Sequence, residues 1–234
     1  MRLDSALFKS KLTQSRSQAE NYIKLGLVTV NGTVAKKASQ AVSDIDVLRV
    51  VGDTYVSRAA LKLASITKQF NLDFSNKIVL DVGSSTGGFT DYALQHGASK
   101  VIAVDVGTNQ LHPKLRSDIR VELHEKTDIR NFSTKAVDII VADVSFISLT
   151  KILPSLKQLS DKKTVLVMMC KPQFEAGKEQ INKGIVKNSA IRRRVLQEFE
   201  VWLVDNGFVI LAKADSQVAG TKGNIERFYK LRST

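Results

Sequence analysis

The sequence has a single cysteine, Cys170, and it lies inside an apolar run. No intrachain disulfide and no multi-cysteine zinc site can therefore form. Long hydrophobic stretches are missing too. Runs such as Thr164 to Cys170 fall far short of the ~20 apolar residues that a membrane-spanning helix requires. The opening residues Met1-Arg2-Leu3-Asp4 lack the apolar core of a secretory signal and carry an early acid, so the expectation is a cytoplasmic protein. There is no internal repeat, no low-complexity tract and no cluster of metal ligands. Negative charge is also scarce: 35 Lys and Arg face 23 Asp and Glu, a formal net charge of +12 over 234 residues. A surplus of that size favours polyanionic partners, either nucleic acid or an acidic membrane surface, and the lack of a spanning segment argues against insertion. The remaining composition, 43% hydrophobic and 25% charged, is that of a globular chain with room for one large and one small domain.

The first fifty or so residues form a unit of their own, with a domain over 1–52 and a linker over 53–57. Arg2 to Leu12 reads as a short helix, and Ser15 is placed to cap a second one running to Lys24, which Gly26 would stop. Val28-Thr29-Val30, Asn31-Gly32 and Thr33-Val34-Ala35 read as a hairpin, because Asn-Gly tolerates the positive φ angles of a type I′ turn. Asp46 to Val51 supplies a further strand, and Gly52-Asp53-Thr54 reads as the connection. The rhythm then changes over 58–234. Arg58 to Phe70 reads as a helix with Ala59, Leu63, Ile66 and Phe70 on one stripe. Short apolar strands separated by helical segments follow at Lys77–Val82, Lys100–Val106, Val137–Asp143, Thr164–Cys170 and Val209–Ala214, with a last strand over Ile225–Leu231. That alternation predicts an α/β domain with right-handed crossovers and a mostly parallel sheet covered on both faces.

The strongest chemical motif is Asp81-Val82-Gly83-Ser84-Ser85-Thr86-Gly87-Gly88-Phe89-Thr90, directly after the first strand of the larger domain. Its glycines let the backbone turn tightly and lie close against a cofactor. The pattern D-x-G-x-x-x-G differs from the dinucleotide fingerprint, and no lysine follows as in a phosphate-binding P-loop. Asp105 ends the second strand at the distance where an acid accepts hydrogen bonds from ribose hydroxyls. Asp81 is placed to meet an ammonium group. A ligand with a ribose and an ammonium, needing no phosphate cradle, fits S-adenosyl-L-methionine. Two further strand ends are polar where a doubly wound sheet places its site: Asp143 in Asp143-Val144-Ser145-Phe146, and Lys171 in Lys171-Pro172-Gln173-Phe174-Glu175.

Together with Ser57-Arg58, Lys62, Val104-Asp105-Val106-Gly107, Asp143 to Leu149, Lys171 to Gly177 and Gly223-Asn224-Ile225-Glu226, these runs resemble the TlyA family over essentially the whole chain. These are ribosomal RNA ribose 2′-O-methyltransferases, historically labelled hemolysins. The resemblance implies a Rossmann-like, FtsJ-like catalytic domain with a seven-stranded sheet and S-adenosyl-L-methionine as cofactor, with no metal. It places the family's Lys-Asp-Lys-Glu tetrad on Lys62, Asp143, Lys171 and Glu226. Ser84 stands where relatives commonly carry alanine. The implied cofactor contacts are Asp81, Gly83, Ser84, Ser85, Thr86, Gly87, Gly88, Phe89, Thr90, Asp105, Val106, Thr127, Asp128 and Asp143. The N-terminal unit resembles the alpha-L RNA-binding domain through Arg2-Leu3-Asp4, Ser15-Arg16, Ala19, Ile23 to Gly26 and Val28 to Gly32. Its implied phosphate contacts are Arg2, Arg16, Lys24, Lys36 and Lys37, joined by Arg58 in the larger domain.

The expected reaction is methylation of a cytidine ribose in ribosomal RNA of the small subunit, the large subunit or both. Lys171 would be the base, Lys62 would steady the developing oxyanion, and Asp143 and Glu226 would orient them. The expected partners are ribosomal RNA and ribosomal subunits, with no membrane and no required protein. Arg192-Arg193-Arg194 reads equally as RNA contact or as a solvated helix face. Three other readings stand beside this one: a non-catalytic ribosome-assembly factor, which would have no need of the tetrad; a pore-forming hemolysin, which would need a spanning segment; and a pseudouridine synthase, which would have no use for the Asp81–Thr90 loop.

Overall fold

Two helices and a three-stranded sheet make up the N-terminal unit of the computed structural model, which describes residues 1–13, 15–24, 26–51, 55–176, 186, 188–218 and 223–234. Helix α1 covers Leu3–Lys9 and α2 covers Arg16–Lys24. The first is shorter than its pattern predicts. Lys11 takes a φ of +58° and Leu12 N bonds back to Leu7 O, which turns the chain off the helix axis. Ser15 does cap α2, its Oγ accepting from Gln18 N at 3.1 Å, and Gly26 follows at φ +72°. Strands β1 (Val28–Val30) and β2 (Thr33–Val34) flank Asn31 and Gly32 at φ +51° and +80°, the positive pair that a type I′ hairpin needs. Strand β3, Leu48–Val50, pairs antiparallel with β1 on its other side. It starts later than predicted because Asp46 is spent on a turn, accepting from Ser43 N and Asn31 Nδ2, both at 2.7 Å. The connection at Gly52-Asp53-Thr54 lies outside the described residues.

The larger unit begins with α3, Ala59–Thr67. Its sheet contains β4 (Ile78–Val82), β5 (Lys100–Val104), β6 (Val121–His124), β7 (Ile139–Ala142), β8 (Val165–Cys170), β9 (Phe208–Asp215) and β10 (Arg227–Ser233). Their spatial order is β6-β5-β4-β7-β8-β10-β9. The first five are parallel, and β10 runs antiparallel to both neighbours. Strand β6 was not legible in the sequence. It is a half-buried edge strand whose Val-Glu-Leu-His alternates polar and apolar residues instead of forming an apolar run. Covering helices are α4 (Gly88–Gln95), α5 (Pro113–Arg116), α6 (Leu153–Gln158), α7 (Pro172–Glu175) and α8 (Ser189–Asp205). Among the described residues no helix is long and apolar enough to cross a membrane.

Strand alternation divides the core between the two faces of the sheet. Val79, Val101, Ile139, Val141, Val167 and Met169 pack with Leu63 and Ile66 of α3 and with Phe89 of α4. Leu80, Ile102, Ile140, Leu166 and Met168 pack on the other side with Leu156 of α6 and with Leu196, Phe199 and Leu203 of α8. With both faces covered, the central strands are apolar almost throughout. Their polar residues therefore collect near the carboxyl ends, where the chain order reverses about β4 and leaves a crevice.

Candidate active site

The loop after β4 is built by backbone constraints. Gly83 has φ +78°, and a Cβ there would lie 2.9 Å from Asp143 O at the end of β7, so only glycine fits this approach. Gly88 opens α4 against the start of α3, where a Cβ would fall 2.9 Å from Ala60 N. Gly87 precedes it at φ +93°. Asp105 ties this loop to the end of β5: its Oδ2 accepts from Ser85 N at 2.8 Å and its Oδ1 from Gly107 N at 2.7 Å. A carboxylate oxygen accepts more than one such bond, so capacity remains toward the adjacent cavity. That cavity, about 480 Å³, is lined by Gly83, Ser85, Asp105, Val106, Thr127 and Asp128, among others. A smaller one of about 150 Å³ is lined by Asp81, Ser84, Thr86 and Lys171, and shares Gly83, Ser85, Asp143 and Ser145 with the first.

Asp81 is 1% exposed. Thr90 Oγ1 donates to its Oδ2 at 2.6 Å, while Oδ1 has no hydrogen-bond partner among the described residues. Burial pushes this carboxyl up to about 7, the Asp143 charge adds to the shift, and the Thr90 bond opposes it. Ser84 Oγ is likewise buried and without a partner among the described residues. Thr90 thus orients Asp81 from within α4, and Phe89 packs in the core 6.2 Å from Phe228. Unpartnered polar atoms buried beside a glycine loop fit a ligand that brings its own donors and acceptors. Asp128 is engaged with Arg130 at 2.6 Å at the rim, and Thr127 Oγ1 donates to Glu125 O at 2.9 Å.

The four tetrad positions form two ion pairs, one buried and one partly exposed at its carboxylate. Lys62 Nζ donates to Glu226 Oε1 at 3.0 Å, joining α3 to the residue before β10, and Glu226 Oε2 has no partner among the described residues. Lys171 Nζ lies 2.6 Å from Asp143 Oδ1, an ionic contact outside hydrogen-bond alignment, and donates to Ser145 Oγ at 2.8 Å. Asp143 and Lys171 follow neighbouring strands β7 and β8. The register Arg227↔Cys170 then sets Glu226 level with Lys171, so both pairs occupy the same end of the sheet. Ser145 and Glu175 have no role legible in the sequence, because their partners are set by tertiary contacts.

In the N-terminal unit, Arg2 and Arg16 converge on buried Asp4 at 3.0 and 2.7 Å. The hydrogen bond from Arg2 is the largest of the effects that hold the Asp4 carboxyl well below the usual carboxylate range. Both guanidinium side chains remain about half exposed. Lys24, Lys36 and Lys37 are exposed, and Arg58 is half-buried at the start of α3.

Comparison with known proteins agrees with this architecture. The FtsJ-like methyltransferase family matches residues 55–233, and the S4 domain family matches residues 1–48. Hemolysin A of Brachyspira hyodysenteriae is 41% identical over 233 residues, covering 97% of each chain. The 16S/23S rRNA (cytidine-2′-O)-methyltransferase TlyA of Mycobacterium tuberculosis is 38% identical over 240 residues, covering 99% of this chain and 90% of its own. A solved structure described as a hemolysin from Streptococcus thermophilus superposes with a TM-score of 0.75 at 41% identity, covering all of this chain and 88% of its own. An FtsJ-like fold, an N-terminal S4 domain and full-length relatives together establish that the chain belongs to the TlyA/hemolysin A family of ribosomal RNA 2′-O-methyltransferases.

Proposed function

We propose that the protein transfers a methyl group from S-adenosylmethionine to the ribose 2′-hydroxyl of a cytidine in ribosomal RNA, with Lys62, Asp143, Lys171 and Glu226 as its catalytic residues. The observation that carries this is that Lys171 and Asp143 line the glycine-loop cavity while the buried Lys62–Glu226 pair stands at the same end of the sheet. When bound, S-adenosylmethionine supplies a methyl group activated by its sulfonium. Asp105 would hold the cofactor ribose, and Asp81 Oδ1 would take the amino-acid ammonium. Gly83, Ser84, Ser85, Thr86, Gly87 and Gly88 would shape the loop around it, and Val106, Thr127 and Asp128 would line the far end. Lys171, which lines the smaller cavity, would accept the hydroxyl proton as a neutral amine. Lys62, fixed by Glu226, would remain charged and stabilise the oxygen as negative charge develops on it. Fixing the nucleophile in line is worth roughly 7–11 kcal/mol of the barrier. Arg2, Arg16, Lys24, Lys36 and Lys37, with Arg58, would engage RNA phosphates and so orient the ribosomal subunit. The test is labelled-methyl transfer to separated ribosomal subunits followed by mapping of the modified nucleotide. Ribose methylation at a cytidine is expected, and absence of transfer to either subunit would refute the proposal.

A further inference from the structure

The segment after β8 grips the loop after β7 at two points. At its start, Lys171 Nζ meets Asp143 Oδ1 at 2.6 Å and Ser145 Oγ at 2.8 Å. One helical turn later the half-buried Glu175 carboxylate takes the other end of the same loop, accepting from Leu149 N at 2.9 Å and from Ser148 Oγ. Between these points the loop has little of its own to hold it. Among the described residues, none from 144 to 148 donates a backbone hydrogen bond to another backbone group. Phe146 adopts φ +66°, a left-handed conformation that is costly for a bulky side chain and survives only where surrounding contacts enforce it. Its ring is 92% exposed and meets Phe174, the residue before Glu175, at 5.3 Å.

From this arrangement we infer that Glu175 is a positioning residue for methyl transfer: by latching Ser148 and Leu149 it fixes the loop that carries Asp143 and Ser145, and so sets where Lys171 Nζ stands. Lys171 precedes and Glu175 ends the single turn of α7, which starts at Pro172, so the spacing between the two grips is short and stiff. Release at Glu175 frees the strained loop, and Ser145 and Asp143 then hold Lys171 less closely. Misplacement of a reacting group by about 1 Å can cost on the order of 100-fold in rate.

The inference rests on the methyltransferase reading above, and its test separates the two. Full-length protein is assayed in single turnovers with labelled S-adenosylmethionine and ribosomal subunits lacking the modification, alongside hydrogen exchange of the amides over 144–149. For Glu175→Ala the expected result is a rate roughly 10- to 100-fold lower, with cofactor affinity and subunit binding within about twofold of wild type. Exchange should be faster over 144–149 and unchanged in the sheet. Glu175→Gln keeps an oxygen for Leu149 N and should recover most of the rate. Ser148→Ala, which spares Glu175 and its bond to Leu149, should lose several-fold, and it carries the test should Glu175→Ala fail to fold. Wild-type rate and exchange in Glu175→Ala, or in Ser148→Ala, would overturn the latch. So would a loss of cofactor affinity parallel to the loss of rate that Glu175→Gln does not recover. No transfer by the wild-type chain would refute the methyltransferase reading, while the exchange measurement would still decide the latch.

Discussion

Asp81 makes the pH dependence of cofactor binding a direct test of the site. Burial raises its carboxyl from 3.8 to about 7, and its Oδ1 has no protein partner among the described residues. If that oxygen receives the cofactor ammonium, only the ionised form binds well, and apparent affinity scales with the ionised fraction. That fraction rises from about one-thirtieth at pH 5.5 to about three-quarters at pH 7.5. The expected gain is therefore about 25-fold in affinity, or about 1.9 kcal/mol. Most of one proton should be released on binding at pH 6. The range stays below the roughly 7.7–8.0 at which an α-ammonium loses its own proton. In the free protein the same group acts in the opposite direction. Folded Asp81 holds a proton that the unfolded chain gives up near pH 4, so its contribution to stability falls between about pH 4 and pH 7, by on the order of 4 kcal/mol, and levels off above that. Calorimetric titration in buffers of differing ionisation enthalpy measures both the affinity and the proton count. Asp81→Asn should bind about 10- to 100-fold more weakly at pH 7.5, since a hydrogen bond to a charged group contributes about 1.5–3 kcal/mol, and its pH profile should be flat. A flat profile in the wild type, or an equal slope in Asp81→Asn, would refute the reasoning.

Other outcomes follow from the two ion pairs and the basic surface. Lys171→Ala should bind S-adenosylmethionine nearly normally yet transfer almost no methyl to ribosomal RNA, and near-wild-type turnover would remove Lys171 as the base. Glu226→Ala leaves Lys62 buried without a counter-charge, so chemical denaturation should show a loss of about 3–5 kcal/mol in unfolding free energy. A loss below about 1 kcal/mol would mean that Lys62 escapes to solvent. Replacing Lys24, Lys36 and Lys37 with alanine should weaken binding to ribosomal subunits across a salt series. The slope of log affinity against log salt should flatten by up to about 0.9 for each phosphate left without its lysine, with cofactor affinity unchanged. An unchanged slope would show that these lysines do not touch RNA.

Whatever depends on neighbours along the chain was legible before any fold was known. Asn31-Gly32 dictates a type I′ hairpin because few residues tolerate its φ angles, and Ser15 caps α2 because the first amide groups of a helix need an acceptor close at hand. Apolar runs with no polar face declared β4, β5, β7 and β8 to be buried on both sides, and the Asp81–Thr90 motif placed a cofactor loop at their carboxyl ends. The half-polar edge strand β6 escaped that logic, since an alternating four-residue segment shows little periodicity. The rest came from contacts across the fold. The fold joined Lys62 to Glu226, 164 positions apart, and set Lys171 on Asp143 through the register of adjacent strands. It also left Asp81 Oδ1 unpaired among the described residues and turned Glu175 back onto Ser148 and Leu149. A carboxylate's proton affinity and its partners follow from burial and from distances across the fold, and neither is set by the residues beside it in the chain.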